Sequence, residues 1–294
     1  MKTTTKLRQM INSDSLTVAP FVLNAFHAKI AESVGFQAVY MTGAGTSAER
    51  GFPDVGLLTM TEMVSNAKYI AGAVDIPVIC DADTGYGNPL NVVRTVQECV
   101  RLGVAGIILE DQLWPKKCGH MEGKRVISIE EHGQKIRAAV YAREGNDLVI
   151  IARTDAIAPE GFDEALRRGR AYSAAGADVV FIEAPQRMEQ LRTVAGAFDT
   201  PVFANMVEGG RTPRKSAAEL QAIGYSLVIF PGGMVRALAR TAQAYLASLK
   251  EHGSTLPFRD NMLDFDDLNE LLGTDEMLAL GADYDARNFE ETDD

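Results

Sequence analysis

Residues 148–156 read LVIIARTDA, a short aliphatic run followed at once by an arginine and an aspartate. A strand with one face in water alternates apolar and polar residues, whereas a strand covered on both faces is apolar throughout, as this one is. Runs of the same kind recur along the chain and predict seven further strands, at 16–21, 38–42, 78–83, 106–111, 179–184, 202–206 and 226–230.

The segments between these runs have apolar residues at the i, i+3, i+4 spacing of helices, and several of them end at a glycine. They predict helices at 24–35, 60–74, 91–103, 129–144, 162–176, 188–198 and 216–224, and a further helix at 234–253 follows the last strand. Eight strand–helix units predict an α/β fold, a (β/α)₈ barrel of the TIM type. The alternative is an open doubly wound sheet, which expects a G-x-G-x-x-G turn after the first strand. Residues 19–29, APFVLNAFHAK, offer no such turn.

The pattern also predicts the domain boundaries. We expect a catalytic barrel at 1–255 and a helical extension at 256–294, in which LDFDDLNELLG (263–273) is the clearest helix. Such an extension would cap the barrel or pack on another subunit.

Composition excludes several classes of protein. The 294 residues carry a net charge of −11 without a basic stripe, so no nucleic-acid partner is expected. No apolar run approaches the ~20 residues of a membrane span, and no apolar segment follows the N-terminal lysines as in a signal peptide. The three cysteines lack the spacing of a disulfide framework, which suits a reducing compartment. We therefore expect a cytoplasmic protein that acts on a small molecule.

Polar side chains stand where five consecutive predicted strands end, and in a barrel these ends meet at one mouth. A single carboxylate at a strand end usually caps a helix or pairs with an arginine. Five strand ends in a row predict an active site instead. The residues are Asp81, Asp83, Glu110, Asp111, Arg153, Asp155, Glu183, Asn205 and Glu208.

Carboxylates this close together repel one another unless a cation neutralises them. Oxygen ligands without a histidine–cysteine set point to Mg²⁺ or Mn²⁺, which keeps several waters and few direct carboxylates. Arg153 could clamp a substrate carboxylate, and the glycines of TGAG (42–45) could offer backbone N–H groups to an anion. Metal and anion receptors together suit an acid that passes through an enolate-like state.

Residues 116–120 read KKCGH and place a thiol among cations, which predicts a lowered pKa and a proton donor. Taken alone, the pentapeptide could equally be a chance placement. It lies, however, in a predicted loop at 112–128 that, like the loop at 43–60, exceeds the usual strand–helix connection. Long loops at a barrel mouth are candidate lids. We therefore expect Cys118 on a lid that closes over the site, with Lys117 and His120 adjusting its acidity.

Six motifs together resemble the isocitrate lyase/phosphoenolpyruvate mutase superfamily, most closely its lyases of the 2-methylisocitrate and 2,3-dimethylmalate type. They are PDVG (53–56), DADTGYGN (81–88), LEDQ (109–112), KKCGH (116–120), ARTDA (152–156) and ANMVEGGRTP (204–213). The resemblance runs from about residue 21 to 240. It implies a barrel whose last helix is swapped between subunits in a homodimer or homotetramer.

The resemblance also implies a role for each matching residue. Asp83 is similar to a direct Mg²⁺ ligand, and Asp81, Asp54 and Glu110 are similar to residues that hold metal-bound water. The expected substrate contacts are Thr42, Gly43, Ala44, Gly119, Arg153, Glu183 and Asn205. Tyr40 resembles a tyrosine near the reacting hydroxyl, and Cys118 resembles the general acid, with Lys116, Gly119 and His120 on its closing loop.

The implied reaction is retro-aldol cleavage of a substituted 2-hydroxy dicarboxylate to pyruvate and a carboxylic acid. The chain departs from the methylisocitrate enzymes at TGAG (42–45), Trp114, Val207 and the glycines of FPGG (230–233). Val207 and these glycines argue against a third substrate carboxylate, and Trp114 and Val207 favour a smaller and more apolar pocket. They favour an alkylated malate over a tricarboxylate. The alternatives are an oxaloacetate hydrolase or decarboxylase, a phosphonomutase, which would lack the thiol, and a barrel that binds a dicarboxylate without catalysis.

Overall fold

The computed structural model describes residues 1–285. Eight parallel strands lie within this part of the chain, in the order β1-β8-β7-β6-β5-β4-β3-β2. The first and last strands of that order are joined through a bridge between Phe21 and Tyr40, so the sheet nearly closes on itself. The strands are β1 Thr17–Pro20, β2 Val39–Met41, β3 Val78–Asp81, β4 Gly106–Glu110, β5 Val149–Thr154, β6 Val179–Ile182, β7 Val202–Asn205 and β8 Leu227–Phe230.

Helices separate the strands, which confirms the (β/α)₈ barrel and excludes the open doubly wound sheet. They are α1 Thr3–Ile11, α2 Ala25–Ser33, α3 Gly43–Glu49, α4 Met60–Ala71, α5 Pro89–Arg101, α6 Ile129–Ala142, α7 Ile157–Glu160, α8 Phe162–Ala174, α9 Met188–Gly196, α10 Ala217–Ile223 and α11 Gly233–His252. A 3₁₀ turn at Leu256–Asn261, α12 Phe265–Leu272 and α13 Thr274–Asp283 follow.

Large buried side chains fill the interior of the barrel. Ile79, Ile108, Ile151, Phe181 and Phe203 belong to one cluster and are at most 1% exposed. Leu7 and Ile11 of α1 join the same cluster, although the sequence analysis assigned no helix there. The interior is thus a packed core, which leaves the loops after the strands to build a site.

The predicted loop at 43–60 needs a correction, because its first part is α3. Thr42 begins the helix, and its hydroxyl accepts a hydrogen bond from the N–H of Ala44. A Cβ at Gly45 would lie 2.0 Å from the ring of Phe21, so only glycine permits this close packing. The small residues TGAGTSAE (42–49) carry no apolar periodicity, which is why the helix escaped the sequence analysis.

The contacts of the chain divide it into two compact units, Met1–Arg236 and Ala237–Asp294. The first holds all eight strands. In the second, α12 begins and ends close to the predicted helix at 263–273, and residues 286–294 of the predicted extension lie outside the described residues. Within residues 1–285, no helix is both long and apolar enough to cross a membrane.

Candidate active site

A cavity of about 150 Å³ opens where the strands end. Most of the predicted site residues line it, namely Tyr40, Thr42, Ala44, Asp54, Asp81, Glu110, Lys116, Cys118, Gly119, His120, Arg153 and Asn205. Gly43, Asp83 and Glu183 each contact one of these residues without lining the cavity themselves. The fold therefore brings these residues into one place. Two other predicted strand-end acids do not line the cavity, since Asp111 pairs with Arg168 and Tyr172 of α8, and Glu208 pairs with Arg236.

Lys116 lies among the acidic residues at the base of the cavity. Its Nζ is 2.6 Å from Asp54 Oδ1 and 2.8 Å from Asp83 Oδ1, and the lysine is 4% exposed. Burial raises the pKa of Asp83 to about 6, although the charge of Lys116 opposes this and Asp81 adds to it. The backbone of Asp83 has φ +46°, a conformation that non-glycine residues seldom adopt. The carboxylate is therefore held in place at some cost in backbone strain.

The acid cluster suits a hard divalent cation, although it is not a finished metal centre. Within residues 1–285, no three histidine, cysteine, aspartate or glutamate side chains already form a metal-binding group. Glu110 Oε1 is buried and has no hydrogen-bond partner, and burial raises the pKa of Glu110 well above its usual value. Buried acids with too little positive charge around them fit an ion such as Mg²⁺, which needs only one or two direct carboxylates.

Arg153 stands at the centre of three carboxylates. Its Nε lies 2.8 Å from Asp155 Oδ2, and its terminal nitrogens lie 3.4 Å from Glu110 Oε2 and 3.6 Å from Glu183 Oε2. The guanidinium also stacks 5.1 Å from the centre of the Phe181 ring. Asp155 holds the side that carries Nε, so donors on the terminal nitrogens stay available to a ligand.

Glu183 contacts both Asn205 at the end of β7 and His120 in the loop at 112–128. Asn205 donates to Glu183 through Nδ2 at 3.1 Å, and His120 Nε2 lies 3.0 Å from the same carboxylate. The backbone N–H of Arg211 donates to His120 Nδ1, which places the proton of a neutral His120 on Nε2. Asn205 Oδ1 is buried without a partner, so this residue offers a ligand an acceptor.

On the β2 side, Tyr40 and α3 contact Asp81. The Tyr40 hydroxyl lies 3.4 Å from Asp81 Oδ2, and burial together with Asp81 raises the pKa of Tyr40 well above its usual value. The N–H of Gly43 donates to the same oxygen at 3.1 Å, and the N–H of Ala44 donates to Thr42. The binding of a carboxylate by these two N–H groups therefore stays a prediction, since here they donate to the protein.

The expected acidity of Cys118 is wrong. Burial raises the pKa of this thiol, and the backbone of His120 opposes the shift only in part. The two lysines beside it point elsewhere, since Lys116 pairs with Asp54 and Lys117 Nζ donates to the carbonyls of Glu122 and Gly123. The ammonium groups of both lysines are thus bound to other partners and do not stabilise a thiolate at Cys118. The thiol therefore stays protonated at neutral pH.

Residues 112–128, here called the cysteine loop, contact the loop after α3. The N–H of Cys118 donates to the carbonyl of Asp54 at 3.3 Å, which adds to the ion pair of Lys116 with the same residue. Gln112 holds the backbone of Lys117 through both ends of its amide. The loop therefore forms one wall of the cavity.

The sequence analysis missed Lys124, which is 6% exposed and lies on the cysteine loop. Its Nζ is 2.7 Å from Asp155 Oδ1 and also donates to the carbonyl of Gly119. Burial would raise the pKa of Asp155, but the charges of Arg153 and Lys124 lower it well below its usual value. A lysine after a glycine in a polar loop gives no signal of burial, so only the fold could reveal it.

A larger cavity of about 590 Å³ lies beside the site, between residues 56–61, residues 84–94 and the start of the cysteine loop. Its walls include exposed Leu57 and Trp114, together with Lys135. Asp81, Glu110, Cys118 and Arg153 do not line it. Size alone would favour this cavity, but the convergent charged groups and the thiol identify the smaller one as the candidate active site.

Known proteins resemble the chain along most of its length. Residues 7–250 match the family described as phosphoenolpyruvate phosphomutase. The chain is 46% identical over 285 residues to 2,3-dimethylmalate lyase of Eubacterium barkeri, covering 97% of this chain and 99% of that protein. It is 42% identical over 267 residues to 2-methylisocitrate lyase of Aeropyrum pernix, covering 91% and 86%.

Solved structures give the same relation. A 2,3-dimethylmalate lyase is similar with a TM-score of 0.92 at 40% identity, over 100% of this chain and 99% of that one. Oxaloacetate acetylhydrolase bound to 3,3-difluorooxaloacetate follows with 0.91 at 36% identity, over 97% and 98%. Phosphonopyruvate hydrolase, in a complex with oxalate and Mg²⁺, has 0.88 at 30% identity, over 97% and 99%.

Proposed function

Because the chain belongs to the phosphoenolpyruvate mutase/isocitrate lyase superfamily and is a carbon–carbon lyase, we propose that it cleaves an alkylated 2-hydroxy dicarboxylate of the 2,3-dimethylmalate type. The products are pyruvate and a short carboxylic acid, which is propionate for 2,3-dimethylmalate itself. Cys118 is the proton donor.

One observation carries the proposal. The Cys118 thiol lines the same 150 Å³ cavity as Arg153, Asn205 and the acids Asp81 and Glu110. A protein that only binds a dicarboxylate has no need of a half-buried, protonated thiol beside its anion receptors. The cavity volume corresponds to the share of about five water molecules, so the ligand is small.

An apolar part of the cavity lining explains the preference for alkyl groups. This apolar wall consists of Val207, Ile229, Pro231 and Val235, and the charged Arg236 beside it already donates to the carbonyl of Glu208. Methyl groups of the substrate lose water when they pack there, which favours a dimethylmalate over a tricarboxylate. This apolar wall is why we rank 2,3-dimethylmalate above 2-methylisocitrate.

The residues of the chain divide the work of the reaction. The free N–H groups of Arg153 bind a substrate carboxylate, and Asn205 Oδ1 accepts a hydrogen bond from a protonated group of the ligand. Tyr40 keeps its proton because its pKa is raised, so it acts as a hydrogen-bond donor and not as a base. Lys116 and His120 hold the cysteine loop against Asp54 and Glu183.

Cleavage breaks the C2–C3 bond after the hydroxyl at C2 releases its proton to solvent, from which Cys118 is reprotonated at the end of the cycle. The oxygen then forms the carbonyl of pyruvate, and the electron pair of the broken bond passes to C3 and its carboxylate. Cys118 gives C3 the proton that completes the carboxylic acid, and a thiol with a raised pKa still carries that proton at neutral pH.

The residues also fit a divalent cofactor. Asp83 would hold Mg²⁺ or Mn²⁺, with Asp81, Asp54 and Glu110 binding its waters, and when bound the ion supplies a Lewis acid toward substrate oxygens. A related protein, phosphonopyruvate hydrolase, has been solved with oxalate and Mg²⁺. Glu110, a buried acid with an unpartnered oxygen, is the support within this chain.

Hydrolysis of oxaloacetate is the second candidate, because the structural similarity to oxaloacetate acetylhydrolase is nearly as high, with a TM-score of 0.91. That reaction also acts on a small diacid, but it forms oxalate and acetate and no pyruvate. The products therefore separate the two candidates.

The experiment uses the purified chain with Mg²⁺ and a panel of diacids: 2,3-dimethylmalate, 2-methylisocitrate, malate, oxaloacetate and phosphonopyruvate. We expect pyruvate release with the highest kcat/KM for 2,3-dimethylmalate, loss of turnover in EDTA, and recovery with Mg²⁺ or Mn²⁺. Oxalate from oxaloacetate without pyruvate from any hydroxy acid would establish the hydrolase instead. Full turnover after exhaustive EDTA treatment would contradict the metal site.

We further propose a cytoplasmic homo-oligomer, a dimer or tetramer, in which the last barrel helix is swapped between subunits. The barrel at 1–255 would be the catalytic domain and 256–294 the extension. The apolar residues exposed along the second unit support association.

A further inference from the structure

Lys124 is a buried ammonium that the reaction described above does not use. Its side chain is 2% exposed, on a loop that is otherwise partly open to solvent. Burying an ammonium costs several kcal/mol unless charged or polar partners surround it. The ammonium of Lys124 has two such partners, and their identity indicates the role of this lysine.

The first partner is Asp155, which is fully buried and tightly held. Asp155 accepts two hydrogen bonds from Arg153, at 2.8 and 3.0 Å, and its own N–H donates to Asp111 at 2.9 Å. The same carboxylate accepts from Lys124 at 2.7 Å. One acidic group thus joins the substrate-binding arginine and the cysteine loop.

The second partner is the backbone carbonyl of Gly119, the residue between Cys118 and His120. Gly119 lies directly against the arginine, since a Cβ there would come within 2.4 Å of Arg153 Nη2 and 2.8 Å of the Glu183 carboxyl carbon. Only a glycine backbone can approach the guanidinium this closely. Cys118 directly precedes Gly119, so whatever holds Gly119 against Arg153 also bears on the placement of Cys118.

From these contacts we propose that Lys124 is a positioning residue that locks the backbone of Gly119 over Arg153 and so aims Cys118 into the cavity. The inference rests on the proposed function for its catalytic consequence, but the positioning itself is independent of any substrate. Lys124 touches neither the cavity nor a reacting atom and acts through Gly119 and Asp155.

The cysteines supply a direct readout. Cys80 and Cys99 are 2% and 3% exposed, whereas Cys118 is partly exposed. Alkylation by iodoacetamide, followed by peptide mass spectrometry, therefore reports opening of the cysteine loop at Cys118 and unfolding of the barrel at Cys80 and Cys99. The test variant is Lys124→Met, which keeps the aliphatic length and removes the charge. The matched control is Arg125→Met on the same loop, because Arg125 is exposed and does not line the cavity.

We expect Lys124→Met to raise the alkylation rate of Cys118 by about tenfold, the factor that corresponds to ~1.4 kcal/mol of lost closure. Arg125→Met should stay within about twofold of the wild type, and Cys80 and Cys99 should stay unreactive in both variants. A rate profile from pH 7 to pH 11 separates access from acidity, because a pure change of thiol pKa moves the midpoint of the profile and leaves its plateau unchanged. An unchanged Cys118 rate in folded Lys124→Met overturns the proposal, and so does a change confined to that midpoint.

If Lys124→Met unfolds, Cys80 and Cys99 become reactive, and Lys124→Ala then takes its place under the same criterion. Alanine offers Gly119 no donor, and its smaller side chain lets water reach Asp155. Turnover adds a second readout, in which kcat of Lys124→Met should fall at least about tenfold below that of Arg125→Met, with a small change in KM. If no diacid is turned over, the proposed function fails, yet the alkylation result still decides the role of Lys124.

Discussion

Cys118 is the single residue on which the proposed chemistry depends most. Replacing Cys118 with serine keeps the size of the side chain but gives a much weaker acid. A positioned acid contributes roughly 10²–10⁴-fold in rate, so kcat should fall by about that factor. KM should change little, because Arg153 and Asn205 bind the substrate.

The measurement is steady-state pyruvate release by wild type, Cys118→Ser and Cys118→Ala. Both variants should be impaired to a similar degree, since neither carries the thiol proton. A serine variant with nearly wild-type kcat would mean that Cys118 only packs the loop.

His132 makes stability depend on pH. It is fully buried on α6, its ring lies 4.5 Å from the ring of Tyr172, and burial, together with the charges of Lys135 and Arg168, lowers its pKa to about 3. The unfolded chain binds a proton near pH 6.5, so the stability contributed by neutral His132 is complete above that pH and is lost as the pH falls toward 3. At pH 5 the loss is about 2 kcal/mol.

Urea unfolding at pH 7.5 and pH 5.0 checks this prediction with the His132→Phe variant. Wild type should lose about 2 kcal/mol more unfolding free energy than the variant does between the two pH values. His252→Gln is the control, because His252 is exposed. Equal losses in wild type and His132→Phe would show that His132 is protonated in the folded protein.

At the residue scale, the sequence predicted which side chains meet but not how they pair. Asp81, Glu110 and Arg153 were predictable because each follows an apolar run, and parallel strands bring such ends together. The pairing of Lys116 with Asp83 joins two separate loops, so no local pattern encodes it. No local pattern encodes the pairing of Lys124 either. The predicted lowering of the Cys118 pKa was wrong, because the effect of burial outweighs that of the charged residues adjacent in sequence.

At the scale of elements, the cysteine loop is expected to behave as a lid. It contacts its surroundings mainly through polar groups, such as Lys116 with Asp54 and His120 with Glu183. Polar loops with little apolar burial open at low free-energy cost. Oxalate with Mg²⁺ should therefore slow amide hydrogen exchange across residues 112–128.

The measurement is amide hydrogen exchange detected by mass spectrometry, without ligand and with ligand at about five times its apparent Kd, which fills most sites. Peptides from α8, which lies outside the site, serve as the control and should not change. Equal exchange of residues 112–128 in both conditions would count against a lid.

The elements themselves were predicted unevenly, for a physical reason. The eight strands and the helices between them follow from the switch between continuous apolar runs and 3.6-residue periodicity. α3 consists largely of small residues, and its helix depends on the Thr42 cap and the packing of Gly45 against Phe21. Such tertiary support is absent from a local pattern.

At the scale of the whole molecule, the second unit predicts association. In α13, Met277 and Leu278 are each 67% exposed, and in α12 Phe265 is 82% exposed. Large apolar side chains clustered on a surface mark protein–protein contacts. We expect the full chain to sediment as a dimer or tetramer.

Sedimentation velocity of wild type and the double variant Met277→Asp, Leu278→Asp checks this expectation. The double variant should shift toward smaller species, because two charges would enter an apolar contact. Asp275→Asn, on the same helix, is the control and should sediment as wild type does. A wild type that sediments as a monomer at micromolar concentration would contradict the prediction.

The order of the strands has a consequence for synthesis on the ribosome. β1 forms its ladder with β8, from Thr17 with Leu227 to Pro20 with Phe230, so the first strand to emerge pairs with the last. At about 5–20 residues per second, β1 waits roughly 10–40 s for its partner. During that time Val18 and Ala19 belong to an unpaired strand edge, which is a template for aggregation. The nascent chain should therefore need a chaperone that shields its N-terminal segment until translation passes residue 230.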